Sequence, residues 1–135
     1  MRSDSMETTD QDLVINVKRI YEPASKTDGF RILVDRLWPR GLKKSQAGVD
    51  IWLREIAPST ELRKWFNHDP ERWPEFVADY NFQLNKNREI AGQLIALIKQ
   101  HKKVSLLYAA QNEQFNNAIA LKCFLDKFLK QTINE

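Results

Sequence analysis

The chain has 135 residues, 42% of them apolar and 29% charged, with a net charge of +3 at neutral pH. That length supports one domain with its own core, and the single cysteine, Cys123, excludes an intramolecular disulfide or a thiolate cluster. With only His68 and His101 as histidines, a zinc site would need mostly carboxylates, which zinc uses less readily, so neither a metal nor a cofactor is assigned.

No apolar run approaches the roughly 20 residues that span a bilayer, so no membrane partner is expected. The opening MRSDSMETTDQD is polar and lacks the apolar core of a secretory signal. Residues 1–12 are therefore expected to form a disordered arm and residues 13–135 one domain, in a cytoplasmic protein. Between Leu13 and Lys44 eight basic residues stand against three acidic ones, a local charge of +5. An anionic partner should meet this first third of the chain.

LVINVKRIY (13–21) alternates branched apolar and polar residues, the period of a strand with one wetter face. EPASKTDG is rich in turn formers. FRILVDRLW (30–38) predicts a second strand with Ile32, Val34, Arg36 and Trp38 on one face, ended by Pro39 and Gly41. Residues 42–58 admit two readings: a short helix over Ala47–Ile56 stopped by Ala57-Pro58, or a further strand within 46–56.

Thr60–Phe66 predicts a short helix capped by Ser59 or Thr60. Asp69 and Pro70 restart the chain as N-cap and first helical residue, and Pro74 predicts a 3₁₀ turn or a kink there. Trp73, Phe76, Val77, Tyr80 and Leu84 then follow helical spacing. Asn87 is placed to cap a helix with Ala91, Leu94, Ile95 and Ile98 inside. KVSLLYAA (103–110) is an apolar strand, and Asn112 is placed to cap a last helix with Phe115, Ala118, Leu121, Leu125 and Phe128 as its core face. This order predicts an α/β fold, a small, largely parallel sheet with helices on its faces and a helix-rich second half.

Asp35 and Arg36 interrupt an apolar strand near its carboxyl end, where open α/β sheets place ligand crevices. Burying charge is costly unless it is paired, so two readings stand: an ion pair that fixes the turn, or an anion-binding arginine held by its carboxylate. Arg19, Arg36 and Arg40 together suit phosphate or carboxylate, which guanidinium groups bind in a forked geometry; a solvated basic edge is the alternative. His68, in a turn beside Asp69, is the candidate for proton transfer, against a surface or capping role. With Asp35 it makes up the catalytic set. Trp38 shares the strand end with the arginines. Ser59 is a candidate contact, although its place before a helix favours capping. Tyr108 and Asn116 flank a strand-to-helix junction whose free N–H groups suit an anion.

The segments KRIYEPASKTDGFRILVDRLWPRGLKK, IAPSTELRKWFNHDP, ERWPEF and SLLYAAQNEQFNNAIALKCFL resemble the YeaO type of the DUF488 family, from about Asn16 to Phe128. The resemblance implies signature positions at Lys18, Arg19, Asp28, Gly29, Asp35, Arg36, Trp38, Pro39, Arg40 and Gly41. Further on it marks Pro58, Ser59, Trp65, His68 and Asp69, then Tyr108, Ala109 and Asn116. It implies no particular reaction, since the family is named for lacking an assigned one. Where relatives typically read Glu-His-Asn, this chain has Gln114-Phe115-Asn116, so a histidine that took part in chemistry there would be lost and Phe115 would turn inward. Two functions follow, beside a protein-partner adaptor reading exposed apolar surface, for which the sequence offers nothing specific. One is binding of a small phosphate- or carboxylate-bearing ligand at the strand ends by Arg19, Asp35, Arg36, Arg40 and Tyr108, with or without catalysis. The other is a nucleic-acid-binding module using the basic first third. The sequence leaves the oligomeric state open.

Overall fold

A computed structural model describes residues 12–134, so all of the expected N-terminal arm but Asp12 lies outside the described residues. Four strands, β1 (Val14–Arg19), β2 (Phe30–Leu33), β3 (Ile51–Trp52) and β4 (Lys103–Tyr108), form one sheet in the order β1-β4-β2-β3, and every pairing is parallel. Five helices accompany them: α1 (Lys44–Ala47), α2 (Thr60–Phe66), α3 (Trp73–Lys86), α4 (Arg88–His101) and α5 (Asn117–Asn134). The α/β class and the parallel sheet expected from the element order are what the chain adopts.

Strand alternation sorts the side chains onto two faces. Ile32, Val34, Val104, Leu106 and Tyr108, with Ile15 and Val17 beside them, join the apolar faces of α2 to α5 in the larger core. Opposite them, Ile20, Leu33 and Leu107 form a smaller core covered by Trp38, Leu42, Val49 and Trp52. That second face also holds a buried ionic knot. Arg31 donates to Asp28 at 2.5 Å and to the carbonyls of Gly48 and Ala47, while Lys18 lies 3.1 Å from the same carboxylate. Ser25 and Asp28 make a reciprocal capping box around the 3₁₀ turn Lys26–Asp28, which carries the short crossover from β1 to β2 past β4. Gly29 follows at φ 68°, and a Cβ there would stand 2.3 Å from the Lys103 carbonyl oxygen. Only glycine fits so close an approach.

Several expected elements are displaced. β2 ends at Leu33 rather than near residue 38. Val34 still donates to the Leu107 carbonyl, but the next ladder bond is made by side chains: Asp35 accepts from Ala109 N at 2.9 Å, and Asn117 donates to the Val34 carbonyl at 3.1 Å. A helix over Ala47–Ile56 does not form, because Gly48 in the left-handed region ends α1. Asp50 then bonds the backbone of Arg31 in both directions and draws Ile51–Trp52 onto β2, the additional strand expected within 46–56. The last helix starts at Asn117, where Asn116 caps it through Ile119 N at 2.9 Å. Asn112 instead caps a non-helical turn by accepting from Gln114 and Phe115. Leu129 takes the buried position expected of Phe128, which is exposed. Asn87 precedes α4 without a side-chain cap.

Elsewhere the local chemistry works as read. Ser59 caps α2 through Leu62 N. Asp69 and Pro70 open a 3₁₀ turn that runs into α3, so Pro74 falls in the first turn, where its missing N–H costs nothing. Phe76, Tyr80 and Leu84 bury the inner face of α3, and the Tyr80 hydroxyl donates to the Ile56 carbonyl at 2.6 Å.

Candidate functional site

An open cleft of about 710 Å³ lies at the carboxyl edge of the sheet. Its walls are the loop after β2, the Ala57-Pro58 bend, one face of α2, and the β4 to α5 junction. It adjoins a second, shallower hollow of about 770 Å³, with which it shares Tyr21, His68, Ala109 and Ala110.

Asp35 forms part of the cleft through a structural duty. Its two oxygens accept from Ala109 N at 2.9 Å and Asn117 Nδ2 at 3.1 Å, bridging the sheet edge to the start of α5. Burial pushes its pKa up, against the opposing pull of those hydrogen bonds and of the Arg63 charge. Neither expectation for Arg36 describes its bonding. Its guanidinium donates to the carbonyls of Ala57 at 3.0 Å and Pro58 at 3.3 Å, which hold the bend, and Asp35 is not its partner. A guanidinium has five N–H donors, so this leaves capacity toward the cleft.

Arg19 reaches the carbonyls of Ala109 and Ala110 and lies over the Tyr21 ring at 4.8 Å, beside the shallower hollow rather than the main cleft. Arg40 is an exposed wall of the cleft, and its carbonyl accepts from the Tyr21 hydroxyl at 2.8 Å. Trp38 also lines the cleft, tied down by its indole bond to the Leu42 carbonyl and by edge contact with Trp52.

His68 lines both hollows. It and Asn67 take consecutive left-handed conformations, φ 57° and 46°, each costing on the order of 1 kcal/mol or more. The turn thereby swings the imidazole out to the rim, 6.5 Å from the Phe66 ring.

Two expected contacts sit elsewhere and a third is already engaged. Ser59 is engaged by Leu62 N and Gln83 and faces away from the cleft. Tyr108 is buried in the core, where desolvation, with Glu113 and Glu22, raises its hydroxyl pKa. Asn116 borders the cleft, but its amide is taken by Asn112 and Ile119. Phe115 packs on Trp73 with ring centroids 5.3 Å apart, the inward placement expected of a phenylalanine at this position.

Tyr21, Arg63, Lys64 and Asn117 also line the cleft, although nothing in the sequence marks them as a group. Arg63 and Lys64 were legible as the outer side of a short helix whose Leu62 and Phe66 face the core, but only the fold brings that side against the loop after β2. Among the described residues, Arg40, Arg63 and Lys64 make no salt bridge, and no group of three or more His, Cys, Asp or Glu is placed to hold a metal ion. No helix there is long and apolar enough to cross a membrane.

The family model described as "Inactive DUF488-N3 subclade" matches residues 14–135. The chain is 43% identical over 111 residues to "Uncharacterized protein YeaO" of Escherichia coli (strain K12), covering 82% of this chain and 96% of that protein. It is 44% identical over 77 residues to Mb3100c of Mycobacterium bovis and to Rv3073c of Mycobacterium tuberculosis, covering 57% of this chain and 65% of each of those proteins. No solved structure matches.

Proposed function

The chain belongs to the DUF488 family, and from that premise we propose that its cleft binds a small phosphate- or carboxylate-bearing ligand and holds it without turnover. The observation that carries this reading is the charge of the lining. Arg36, Arg40, Arg63 and Lys64 border the cleft, and its one carboxylate, Asp35, is already engaged by Ala109 and Asn117. A concave site lined by one sign of charge concentrates the opposite sign, and an arginine fork suits phosphate and carboxylate oxygens.

Binding fits better than catalysis for two reasons. The matching subclade carries the description inactive, and Asp35, Asn116 and Asn117 at the cleft are employed in holding the β4 to α5 junction. His68 is the remaining group suited to proton transfer, and it stands at the exposed rim.

The nucleic-acid alternative draws on the basic first third, but most of those cations have other partners. Lys18 and Arg31 surround the buried Asp28, Arg19 and Arg36 donate to carbonyls, and Lys44 lies over the rings of Trp38 and Trp52. They form no free strip to track a phosphate backbone.

Thermal-shift scans against inorganic phosphate, adenosine monophosphate, succinate and a short oligonucleotide test the proposal. A ligand at a hundredfold its Kd adds about 2.7 kcal/mol of stability. One of the small anions should raise Tm, and Arg63→Ala/Lys64→Ala, both exposed, should abolish the rise while the protein stays folded. No rise with any small anion, or a rise unchanged in the double variant, overturns the reading. A rise with the oligonucleotide alone moves it to nucleic acid.

A further inference from the structure

On the side of α2 turned away from the cleft, a groove of about 390 Å³ runs between α2 and α3. Its walls include the exposed rings of Trp65 and Phe82, the latter 60% exposed, and Leu62. Glu61, Glu75 and Asp79 supply its charged groups, and Ser59 and Gln83 complete the lining. The spacing explains the convergence, since residues 75, 79 and 82 fall on the outer stripe of α3 and residues 61 and 65 on one stripe of α2.

The charge of this lining is opposite to that of the cleft. All three charged residues are acidic, and none forms a salt bridge with another described residue. The rings already attract cations of the same chain, with Arg72 over Trp65 at 5.3 Å and Lys86 over Phe82 at 4.8 Å. From Glu75 to Gln83 the groove is about 12 Å long at 1.5 Å per helical residue. That is three or four residues of extended chain, more than a single ammonium group fills.

We infer that this groove is a docking surface for a short basic segment of a partner protein, which sets an apolar side chain between Trp65 and Phe82 and places Lys or Arg against the three carboxylates. Aromatic anchors in a groove with unpaired charges around them are the pattern of a peptide-binding surface, and the sign of those charges selects a basic peptide. The groove and the cleft use different faces of α2, so the inference stands whether or not the cleft binds an anion.

The test is fluorescence anisotropy of a labelled octapeptide of alternating Lys and Leu, titrated with the full chain at low salt, beside the same peptide with Glu for Lys. Saturable binding of the basic peptide alone is expected, weakening several-fold as salt rises. Phe82→Ala should weaken it about tenfold, and because Phe82 is exposed the variant should fold. Glu75→Lys/Asp79→Lys should remove binding, and Arg63→Ala/Lys64→Ala should leave it intact. Amide chemical-shift changes should gather on residues 61–65 and 75–83. The inference is overturned by absence of saturable binding, by equal binding of the acidic peptide, or by indifference to Phe82→Ala. A concentration-dependent dimer that Phe82→Ala dissolves would also overturn it, by assigning the groove to a second copy of the chain.

Discussion

Asp28→Asn tests whether the buried ionic knot holds the β1 to β2 crossover in place. The Asp28 carboxylate accepts from Arg31, Lys18 and Ser25 N, and Arg31 is only 5% exposed. Asparagine keeps the shape but leaves a buried guanidinium facing an uncharged amide. Breaking a buried pair by neutralising one member costs about 3–5 kcal/mol, because the other charge stays buried. At roughly 3–4 °C per kcal/mol for a chain of this length, Tm should fall by about 10–20 °C.

The acid limb supplies an independent check. Desolvation alone would raise the Asp28 pKa from 3.8, but the hydrogen bonds from Ser25, Lys18 and Arg31 outweigh it and hold the value down. A carboxylate depressed in the folded state contributes stability that is present above its unfolded pKa and lost as pH falls through the folded one. Urea denaturation at pH 7 and at steps below pH 4 should therefore show the wild type losing this contribution on acidification, while Asp28→Asn lacks that part of the loss. A Tm change under about 3 °C, or an acid limb identical in the two proteins, would refute the idea that the knot stabilises the fold.

Two further substitutions probe the two ends of the sheet. Asp35→Asn puts an NH₂ group opposite Ala109 N–H or Asn117 Nδ2 and should cost about 1–3 kcal/mol in urea denaturation. Burial raises the Asp35 pKa, so the wild type should lose stability as pH rises from near 3.8 through the raised value, and the variant should lack that decline. Gly29→Ala combines the strain of φ 68° with a backbone clash at Lys103, and a loss of about 3 kcal/mol or more is expected; a change within about 0.5 kcal/mol, typical of open surface sites, would mean the crossover moves freely there.

How far the sequence reveals this molecule depends on the range of the interactions concerned. Ser59, Asp69 and Pro70 act on their nearest backbone neighbours, so their positions in the helix starts follow from local chemistry alone. The parallel sheet follows from element order. The end of β2 does not, because periodicity carries on through Val34, Arg36 and Trp38, and what stops the ladder is a carboxylate accepting from Ala109, 74 residues away. The start of α5 was misplaced for a related reason: Asn112 and Asn116 both suit capping, and only the second has helical residues after it. For the candidate site, Asp35, Arg36, Trp38, Arg40 and His68 were found because charged and aromatic residues stand out in loops after strands. Arg63 and Lys64 look like an ordinary solvated helix face until the fold sets them across from Arg40.

The same bonds bear on what the cleft can do. A catalytic acid or base needs a proton position free to exchange with substrate, yet both oxygens of Asp35 are taken by Ala109 and Asn117. Asn116 is held at the helix cap, and Phe115 is turned onto Trp73. Each of these contacts favours one fixed arrangement of the β4 to α5 junction over mobility at a reacting centre. The cations on the other walls, Arg40, Arg63 and Lys64, make no salt bridge among the described residues. Under the proposed reading, a cleft with one fixed carboxylate and two fixed amides beside available cations would capture an anion rather than move its protons.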